Sequence, residues 1–260
     1  MNDKTQIIET IKFKINGVCM NNCCFCIFNN DPRILTTKDI SKVLTALPKN
    51  WKGQILINGG EPTLHRDIMD IGKYLSTRFP DSRLGIGTNL KLFEKKELKS
   101  DSIFTSLLQY YNLVQIGCDD EHMNLEIVES IVPILTANGL DVYINCIKEY
   151  ATKETILRLK ALDLKYGSKT RLSNVLDHSL FHNENINLAK RLCARNQKEV
   201  LVNNDGEIYF CFKQDFTKSA GNINNLGIDD IEKILFHTPI TEPFKACSIC
   251  PYYEPVVSEA

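Results

Sequence analysis

The 260-residue chain lacks the features that mark several classes of protein. No apolar run is long enough to span a bilayer. Residues 1–10, which include Asp3 and Glu9, contain no apolar core of a signal peptide. The formal net charge is only −1, which gives no general attraction to nucleic acid or to a membrane surface. We therefore expect a globular cytoplasmic protein without a nucleic-acid or membrane partner.

Cysteine, in contrast, is abundant, with ten residues in the chain. Because disulfides are rare in a reducing cytoplasm, metal binding is the leading interpretation. Two groups at opposite ends of the chain predict two metal sites. The first group is Cys19, Cys23, Cys24 and Cys26, and the second group is Cys193, Cys211, Cys247 and Cys250. Cys118 and Cys146 stand alone.

Strand and helix patterns alternate along the first two thirds of the chain. Between the strands lie helical patterns, among them residues 91–111, 123–137 and 152–166. The repeat of about 30 residues is the size of a βαβ unit and predicts a parallel sheet covered by helices. We therefore expect an α/β fold, in which six such units can form an open, partial (β/α)6 TIM-like barrel with its active site at the C-terminal ends of the strands. The predicted strands are 7–15, 54–58, 83–88, 113–118, 141–147 and 170–176.

The pattern changes after about residue 183. Residues 199–202 and 207–212 flank Asn203-Asn204-Asp205-Gly206, a strong signal for a β-hairpin, and a helix follows near 228–236. We predict a barrel domain over residues 1–183 and a small cysteine-rich subdomain of hairpin and helix over residues 184–260.

The first cysteine group reads CX3CX2C through Cys19, Cys23 and Cys26, directly after the first strand. An electron-transfer 4Fe–4S cluster takes four thiolates, so three would leave one iron open for chemistry. The alternative is a zinc site with Cys24 as fourth ligand. Because adjacent Cys23 and Cys24 point in diverging directions, we favour the cluster.

The same loop, with Phe25 before its last cysteine, resembles the signature of the radical S-adenosylmethionine (SAM) superfamily. Gly59-Gly60-Glu61-Pro62 is similar to that family's GGE motif. Gly87-Thr88-Asn89 is similar to its TNG-type segment, with Leu90 where the family has Gly. The resemblance implies reductive cleavage of SAM to methionine and a 5′-deoxyadenosyl radical, hydrogen abstraction from a substrate, and an external one-electron reductant of the flavodoxin or ferredoxin type.

The resemblance also implies roles for individual residues. Glu61 would pair with the SAM ammonium; alternatively, it is a surface carboxylate that caps the next helix. The glycines would let the backbone approach the ligand closely. Asp119 is the candidate at the end of the fourth strand, for SAM or for catalysis, because Gly117 stands where a Ser is common. The implied cofactor-binding residues are Phe25, Gly59, Gly60, Glu61, Pro62, Thr88, Asn89 and Asp119. Arg171 on the sixth strand is a further candidate, for a bidentate contact with the SAM carboxylate, and a surface ion pair is its alternative.

The second cysteine group reads CX12GX4C from Cys193 to Cys211, followed by Cys247 and Cys250. It resembles the twitch subdomain, a shortened SPASM domain, which implies that the four cysteines hold one auxiliary 4Fe–4S cluster. Structural zinc is the alternative, since four cysteines with a CxxC pair also suit zinc.

The expected reaction is an oxidation, either dehydrogenation or cross-linking, because a cluster with four thiolates has no open iron and suits electron acceptance. In size and layout the chain resembles twitch dehydrogenases of aminoglycoside biosynthesis, the 2-deoxy-scyllo-inosamine dehydrogenases, which implies a small polar substrate such as an aminosugar or cyclitol. One alternative is modification or epimerisation of a ribosomal peptide or sugar, with Cys118 as hydrogen donor. Strand alternation opposes it, because Cys118 faces the helices if Asp119 faces inward. The other is a non-catalytic Fe–S or zinc protein.

Overall fold

The computed structural model describes residues 8–24, 26, 31–94, 97–98, 100–173, 191–193, 198–210, 219–237 and 253–255. Its strands are β1 (Thr10–Lys14), β2 (Gln54–Asn58), β3 (Arg83–Thr88), β4 (Leu113–Gly117), β5 (Asp141–Ile147), β6 (Lys169–Ser173), β7 (Arg191–Cys193), β8 (Glu199–Val202), β9 (Glu207–Tyr209), β10 (Gly221–Asn222) and β11 (Tyr253–Pro255). Its helices are α1 (Thr37–Thr45), α2 (Ile68–Arg78), α3 (Ser102–Tyr110), α4 (Leu125–Ala137), α5 (Lys153–Tyr166) and α6 (Ile228–His237). Within these ranges no helix is both long and apolar enough to cross a membrane.

Strands β1 to β6 form a parallel sheet in chain order, each strand pairing with the next. One helix, α1 to α5, separates each strand from the next along the chain. This order confirms the predicted α/β class. Because the strands are parallel, their C-terminal ends lie along one edge of the sheet, where the loops that carry the predicted site begin.

The C-terminal strands β8, β9 and β10 extend the same sheet beyond β1. Strand β8 pairs in parallel with β1, and β9 runs antiparallel to β8, as the hairpin signal predicted. The full order is β10-β9-β8-β1-β2-β3-β4-β5-β6, and β7 with β11 forms a separate two-stranded sheet. The sheet is thus continuous across the predicted boundary near residue 183.

Local capping signals set several of the helix ends. The Thr36 side chain accepts from the N–H of Asp39, whose carboxylate accepts from the Thr36 N–H, which is a capping box. Gly167 ends α5 in the left-handed conformation with φ 75°. The predicted helical stretch 91–111 is an α-helix only over α3. It begins there because the Asp101 carboxylate accepts from the first free N–H groups of that helix.

Alternating residues of the strands divide between two faces of the sheet. On β4 and β5, Val114, Ile116, Val142 and Ile144 join the buried core that the helices cover. The opposite face is more polar. Because its side chains offer hydrogen-bonding groups, this face suits a polar ligand. By alternation it carries Lys12, Lys14, Asn58, Gln115, Tyr143, Asn145 and Arg171.

Candidate metal and cofactor site

The first cysteine loop begins where β1 ends, and the turn after β2 holds the start of this loop. The N–H of Gly60 donates to the carbonyl of Asn16 at 3.0 Å, and the N–H of Glu61 donates to the carbonyl of Val18 at 2.7 Å. The side-chain amide of Asn16 returns a hydrogen bond of 3.1 Å to the Glu61 carbonyl. These bonds continue the pairing of β1 and β2 beyond the strands and fix the backbone that leads into Cys19.

Two glycines are needed for this close contact. A Cβ atom at Gly59 would lie 2.6 Å from Oδ1 of Asn16, and one at Gly60 would lie 2.4 Å from the carbonyl oxygen of Val18. Both distances are shorter than real Cβ contacts. The sequence suggested that these glycines let a ligand approach, and the structure adds a different requirement, the approach of the cysteine loop itself.

The three predicted cluster cysteines lie on this loop. Burial raises the pKa of the Cys19 thiol, an effect that the N–H of Asn21 opposes, and burial raises the pKa of Cys23 to about 11. The nearby negative charge of Cys26 contributes to both shifts. The Cys26 sulfur is therefore near enough to those of Cys19 and Cys23 to disfavour their thiolate forms. A bound metal centre reverses this, because a coordinating thiol is deprotonated outright.

A single metal ion and a 4Fe–4S cluster make different demands on these cysteines. Among the described residues, no three His, Cys, Asp or Glu side chains surround one ion position. A 4Fe–4S cluster makes a different demand, because its thiolates bind different irons. Cys24, the fourth ligand of the zinc alternative, is exposed and its sulfur hydrogen-bonds the Tyr150 hydroxyl. These contacts favour a site of three cysteines. Phe25 lies outside the described residues.

Glu61 is fully buried at the same edge of the sheet. Its Oε1 accepts from the N–H and the hydroxyl of Thr63 at 3.1 and 2.7 Å and from the Thr88 hydroxyl at 2.8 Å. Its Oε2 accepts from the N–H of Asn89 at 2.7 Å. Burial raises the pKa of this carboxyl, while these hydrogen bonds act in the opposite direction. Glu61 thus caps the 3-10 turn that Pro62 begins, but from the interior and not from the surface.

The four donors around Glu61 also bear on its predicted contact with the SAM ammonium. Both carboxylate oxygens are engaged, and the side chain has no exposed surface. A direct ammonium contact stays a prediction. Oε2, which accepts one hydrogen bond from Asn89, can accept a second, but the buried carboxylate must first become accessible to the ligand.

The segment after β3 turns sharply at Leu90. This residue has φ 62° and ψ −2°, a left-handed conformation that glycine adopts without strain. Its N–H donates to the Thr88 hydroxyl at 3.0 Å, and its side chain is fully buried. The family has Gly at this position, so the departure seen in the sequence keeps the turn and places a core side chain on a strained backbone.

Asp119 and His122 form a pair at the end of β4. The Asp119 Oδ1 atom lies 2.8 Å from Nδ1 of His122 and accepts from the His122 N–H at 3.1 Å. Oδ2 of Asp119 is buried and has no hydrogen-bond partner among the described residues. A Cβ atom at Gly117 would lie 2.9 Å from Nε2 of His122, so the imidazole covers that glycine. The imidazole therefore occupies the place where the family's Ser side chain would project.

Cys118 lies on the side of the sheet that faces the helices. It is fully buried in the core cluster, and burial, with the nearby Cys146 and Glu129 of α4, raises its pKa. Its alternation with Ile116 agrees. The thiol that the epimerisation alternative would use is therefore separated by the sheet from the polar face.

Two further predicted residues, Arg171 and Cys193, lie on β6 and β7. Arg171 is exposed on β6, and its guanidinium carbon is 4.1 Å from the centroid of the Tyr143 ring. Cys193 ends β7, where its backbone pairs with Tyr253 of β11. Cys211, Cys247 and Cys250 lie outside the described residues.

Sequence reasoning did not find His122 or Asn124 as parts of this site. His122 had no metal-ligand spacing, and its relevance depends on its contact with Asp119. The Asn124 side-chain amide donates to the carbonyls of Asn89 and Gly117 at 2.7 and 2.8 Å, which links the ends of β3 and β4. The spacing Asp-x-x-His directly after a strand is the only signal in the sequence for this pair.

Comparison with known sequences gives one family. The sequence model of the radical SAM superfamily matches residues 13–149, more than half of the chain. That range contains Cys19, Cys23 and Cys26, as well as Glu61 and Asp119. The "Probable GTP 3′,8-cyclase" of Thermoplasma volcanium is 27% identical over 107 residues, which cover 38% of this chain and 33% of that protein. The chain thus matches about a third of the length of this relative.

Several solved structures share the fold. Streptococcus suis SuiB bound to precursor peptide SuiA has a TM-score of 0.68 at 15% identity, covering 90% of this chain and 66% of SuiB. BtrN in complex with AdoMet and 2-DOIA has a TM-score of 0.52 at 17% identity, covering 87% and 82%. anSMEcpe with bound AdoMet has a TM-score of 0.58 at 13% identity, covering 86% and 77%. At these identities the likeness shows the fold, and it agrees with the predicted partial barrel.

Proposed function

Because the chain belongs to the radical SAM superfamily, as the match over residues 13–149 shows, we propose that it oxidises a small polar metabolite such as an aminosugar or cyclitol. The observation that carries the proposal is the three-cysteine loop fixed at the C-terminal edge of the sheet beside a polar face. Bound there, a 4Fe–4S cluster and SAM would supply a 5′-deoxyadenosyl radical for removing a hydrogen atom from a substrate C–H bond.

The residues around the loop support a site for SAM. Cys19, Cys23 and Cys26 would hold the cluster, and the turn at Gly59 and Gly60 lies directly beside them. Oδ2 of Asp119, which has no hydrogen-bond partner in the part of the chain that the structure describes, is a buried acceptor that a hydroxyl or ammonium of a ligand would satisfy. The proposed SAM-binding residues are Phe25, Gly59, Gly60, Glu61, Pro62, Thr88, Asn89, Asp119 and Arg171.

A second centre on Cys193, Cys211, Cys247 and Cys250 is part of the proposal. Cys193 pairs with Tyr253, three residues after Cys250, and β9 ends at Tyr209, two residues before Cys211. Three of the four cysteines, Cys193, Cys211 and Cys250, thus lie within or close in sequence to described strands. A four-thiolate cluster would supply one-electron acceptance there, and zinc would supply only structure.

Oxidation is favoured over epimerisation by the position of Cys118. Epimerisation needs a thiol that returns a hydrogen atom from the polar face, whereas Cys118 lies in the core on the helix side. After hydrogen abstraction from a carbon that bears O–H or N–H, loss of one proton and one electron gives C=O or C=N. The division into residues 1–183 and 184–260, a cytoplasmic location and a flavodoxin- or ferredoxin-type reductant complete the proposal.

A peptide substrate is the second candidate. It is favoured by the likeness to SuiB, whose structure contains the precursor peptide SuiA. The polar strand face favours the small metabolite instead. Both candidates require the protein to bind and cleave SAM. This requirement distinguishes them from a non-catalytic metal-binding protein.

The reaction is tested with reconstituted protein, SAM, dithionite and a panel of amino-cyclitols and aminosugars in deuterated water. We expect a product two mass units lighter than its substrate. A product of unchanged connectivity that has gained one deuterium would contradict oxidation. A Cys118→Ala variant is the control, and because its thiol faces the core we expect it to give the same product.

A further inference from the structure

Asn89 directs its side-chain amide at the sulfur of Cys19. The distance from Nδ2 of Asn89 to Sγ of Cys19 is 3.4 Å. The backbone N–H of Asn21, within the cysteine loop, donates to the same sulfur at 3.3 Å. Asn89 follows β3, seventy residues away in the chain, so it supplies this sulfur with a donor from outside its own loop.

Three contacts fix the orientation of this amide. Oδ1 of Asn89 accepts from the N–H of Lys91 at 2.9 Å, which leaves the nitrogen of the amide to face Cys19. The backbone N–H of Asn89 donates to Glu61 at 2.7 Å, and its carbonyl accepts from Asn124 at 2.7 Å. Asn89 itself is buried. Its donor is therefore held in place and does not depend on a freely rotating side chain.

We propose that Asn89 raises the reduction potential of the cluster ligated by Cys19, and that Asn124 positions Asn89 for this role. The inference rests on the proposed function, because it requires the cluster to be there. One electron is added on reduction, with no bond made or broken, and the added negative charge spreads onto the sulfurs. An N–H···S hydrogen bond therefore stabilises the reduced form more than the oxidised form.

The position of the donor also has a functional consequence. Electron transfer from an external reductant must precede SAM cleavage in this family, so a higher potential makes loading of the cluster easier for a given reductant. Since the donor comes from the segment after β3, a movement of that segment would change the potential. The contact between Nδ2 of Asn89 and Sγ of Cys19 therefore couples the segment after β3 to the cysteine loop.

The test is a potentiometric titration of the full chain with anaerobically reconstituted cluster, followed by electron paramagnetic resonance. The signal that is absent from the Cys19→Ala/Cys23→Ala/Cys26→Ala variant identifies the cluster on the first loop. For Asn89→Leu, we expect unchanged iron content and a reduction equilibrium about tenfold less favourable, which for a one-electron couple is about 59 mV. Asn138→Leu is the matched control, because this exposed side chain donates only to the Ile134 carbonyl at the end of α4.

Asn89→Asp is the second variant, since it keeps the shape and the acceptor for Lys91 but removes the donor and adds a charge. We expect its potential to lie below that of Asn89→Leu. Asn124→Leu should lower the potential less, and its effect should not add to that of Asn89→Leu.

The outcomes separate the two proposals. An intact signal with the wild-type potential in both Asn89 variants would overturn the tuning role and leave the proposed function standing. Loss of the cluster in both variants, with the fold retained, would replace tuning by a role in cluster retention. Wild-type protein that takes up no iron would overturn the proposed function itself.

Discussion

The backbone N–H of Glu61 donates a 2.7 Å hydrogen bond to the carbonyl of Val18, the residue before the first cysteine of the loop. The carboxylate of the same residue accepts from Thr88, which ends β3, and from Asn89, which follows it. One buried residue thus connects the ends of β1, β2 and β3. Its substitution should affect the whole edge of the sheet that carries the proposed site.

The first prediction concerns stability. Glu61→Gln should lower the free energy of unfolding by about 1–3 kcal/mol, because an amide NH2 would face a donor that the carboxylate now satisfies. Urea unfolding of the two proteins measures the difference. Glu154→Gln is the matched control, because that side chain is 79% exposed and its substitution should change stability by no more than about 0.5 kcal/mol. Equal midpoints for all three proteins would contradict the buried position of Glu61.

A second prediction concerns the contact between the glycine turn and the cysteine loop. Gly60→Ala should reduce iron incorporation on the first loop, because its Cβ atom would lie 2.4 Å from the Val18 carbonyl oxygen and push that loop away. Gly139→Ala provides the comparison, since its Cβ atom meets nothing within 4 Å while its φ of +80° is unfavourable for Ala. That control should cost about 1–2 kcal/mol of stability and leave iron content unchanged. Normal iron content in Gly60→Ala would contradict a role for the contact between Gly60 and Val18 in holding the cysteine loop.

The third prediction concerns Asp119. If its buried Oδ2 atom accepts a hydrogen bond from SAM, Asp119→Asn should weaken SAM binding by roughly 1.5–3 kcal/mol, more than tenfold in Kd. Calorimetry with reconstituted protein measures this. His122→Ala removes the imidazole but retains the carboxylate, so its effect should be smaller. A larger loss in His122→Ala than in Asp119→Asn would assign the contact to the imidazole.

The fourth prediction concerns metal content. The full chain should bind about eight irons after anaerobic reconstitution, because each 4Fe–4S site supplies four. A triple variant, Cys19→Ala/Cys23→Ala/Cys26→Ala, should retain roughly half of this iron. One zinc per chain in place of the second set of irons would show that Cys193, Cys211, Cys247 and Cys250 form a structural zinc site.

Short-range patterns predicted much of the fold. Strands β2, β3 and β5 have the predicted bounds, since each is a short run of apolar or alternating residues between turn signals. The shortened α3 shows the limit, because the cap at Asp101 overrides a longer helical pattern. The hairpin of β8 and β9 follows its turn sequence, but its parallel pairing with β1 joins residues about 190 positions apart, and no local pattern contains that information.

The site was predictable in its ligands and less so in its contacts. The cysteine spacing identified Cys19, Cys23 and Cys26, because the loop has to present them within a few residues. The sequence could not show that Glu61 is buried among Thr63, Thr88 and Asn89, since that depends on three strand ends meeting. The pairing of Asp119 with His122 depends in the same way on the turn that follows β4.

Formation of 5′-deoxyadenosine is the direct measure of whether the chain cleaves SAM. Reconstituted protein is incubated anaerobically with SAM and dithionite, and the nucleoside is measured by liquid chromatography and mass spectrometry. We expect 5′-deoxyadenosine and methionine in equal amounts from the wild-type chain and from Cys24→Ala, and none from the triple variant of Cys19, Cys23 and Cys26. Wild-type protein that holds its cluster and binds SAM, yet forms no 5′-deoxyadenosine, would contradict this expectation.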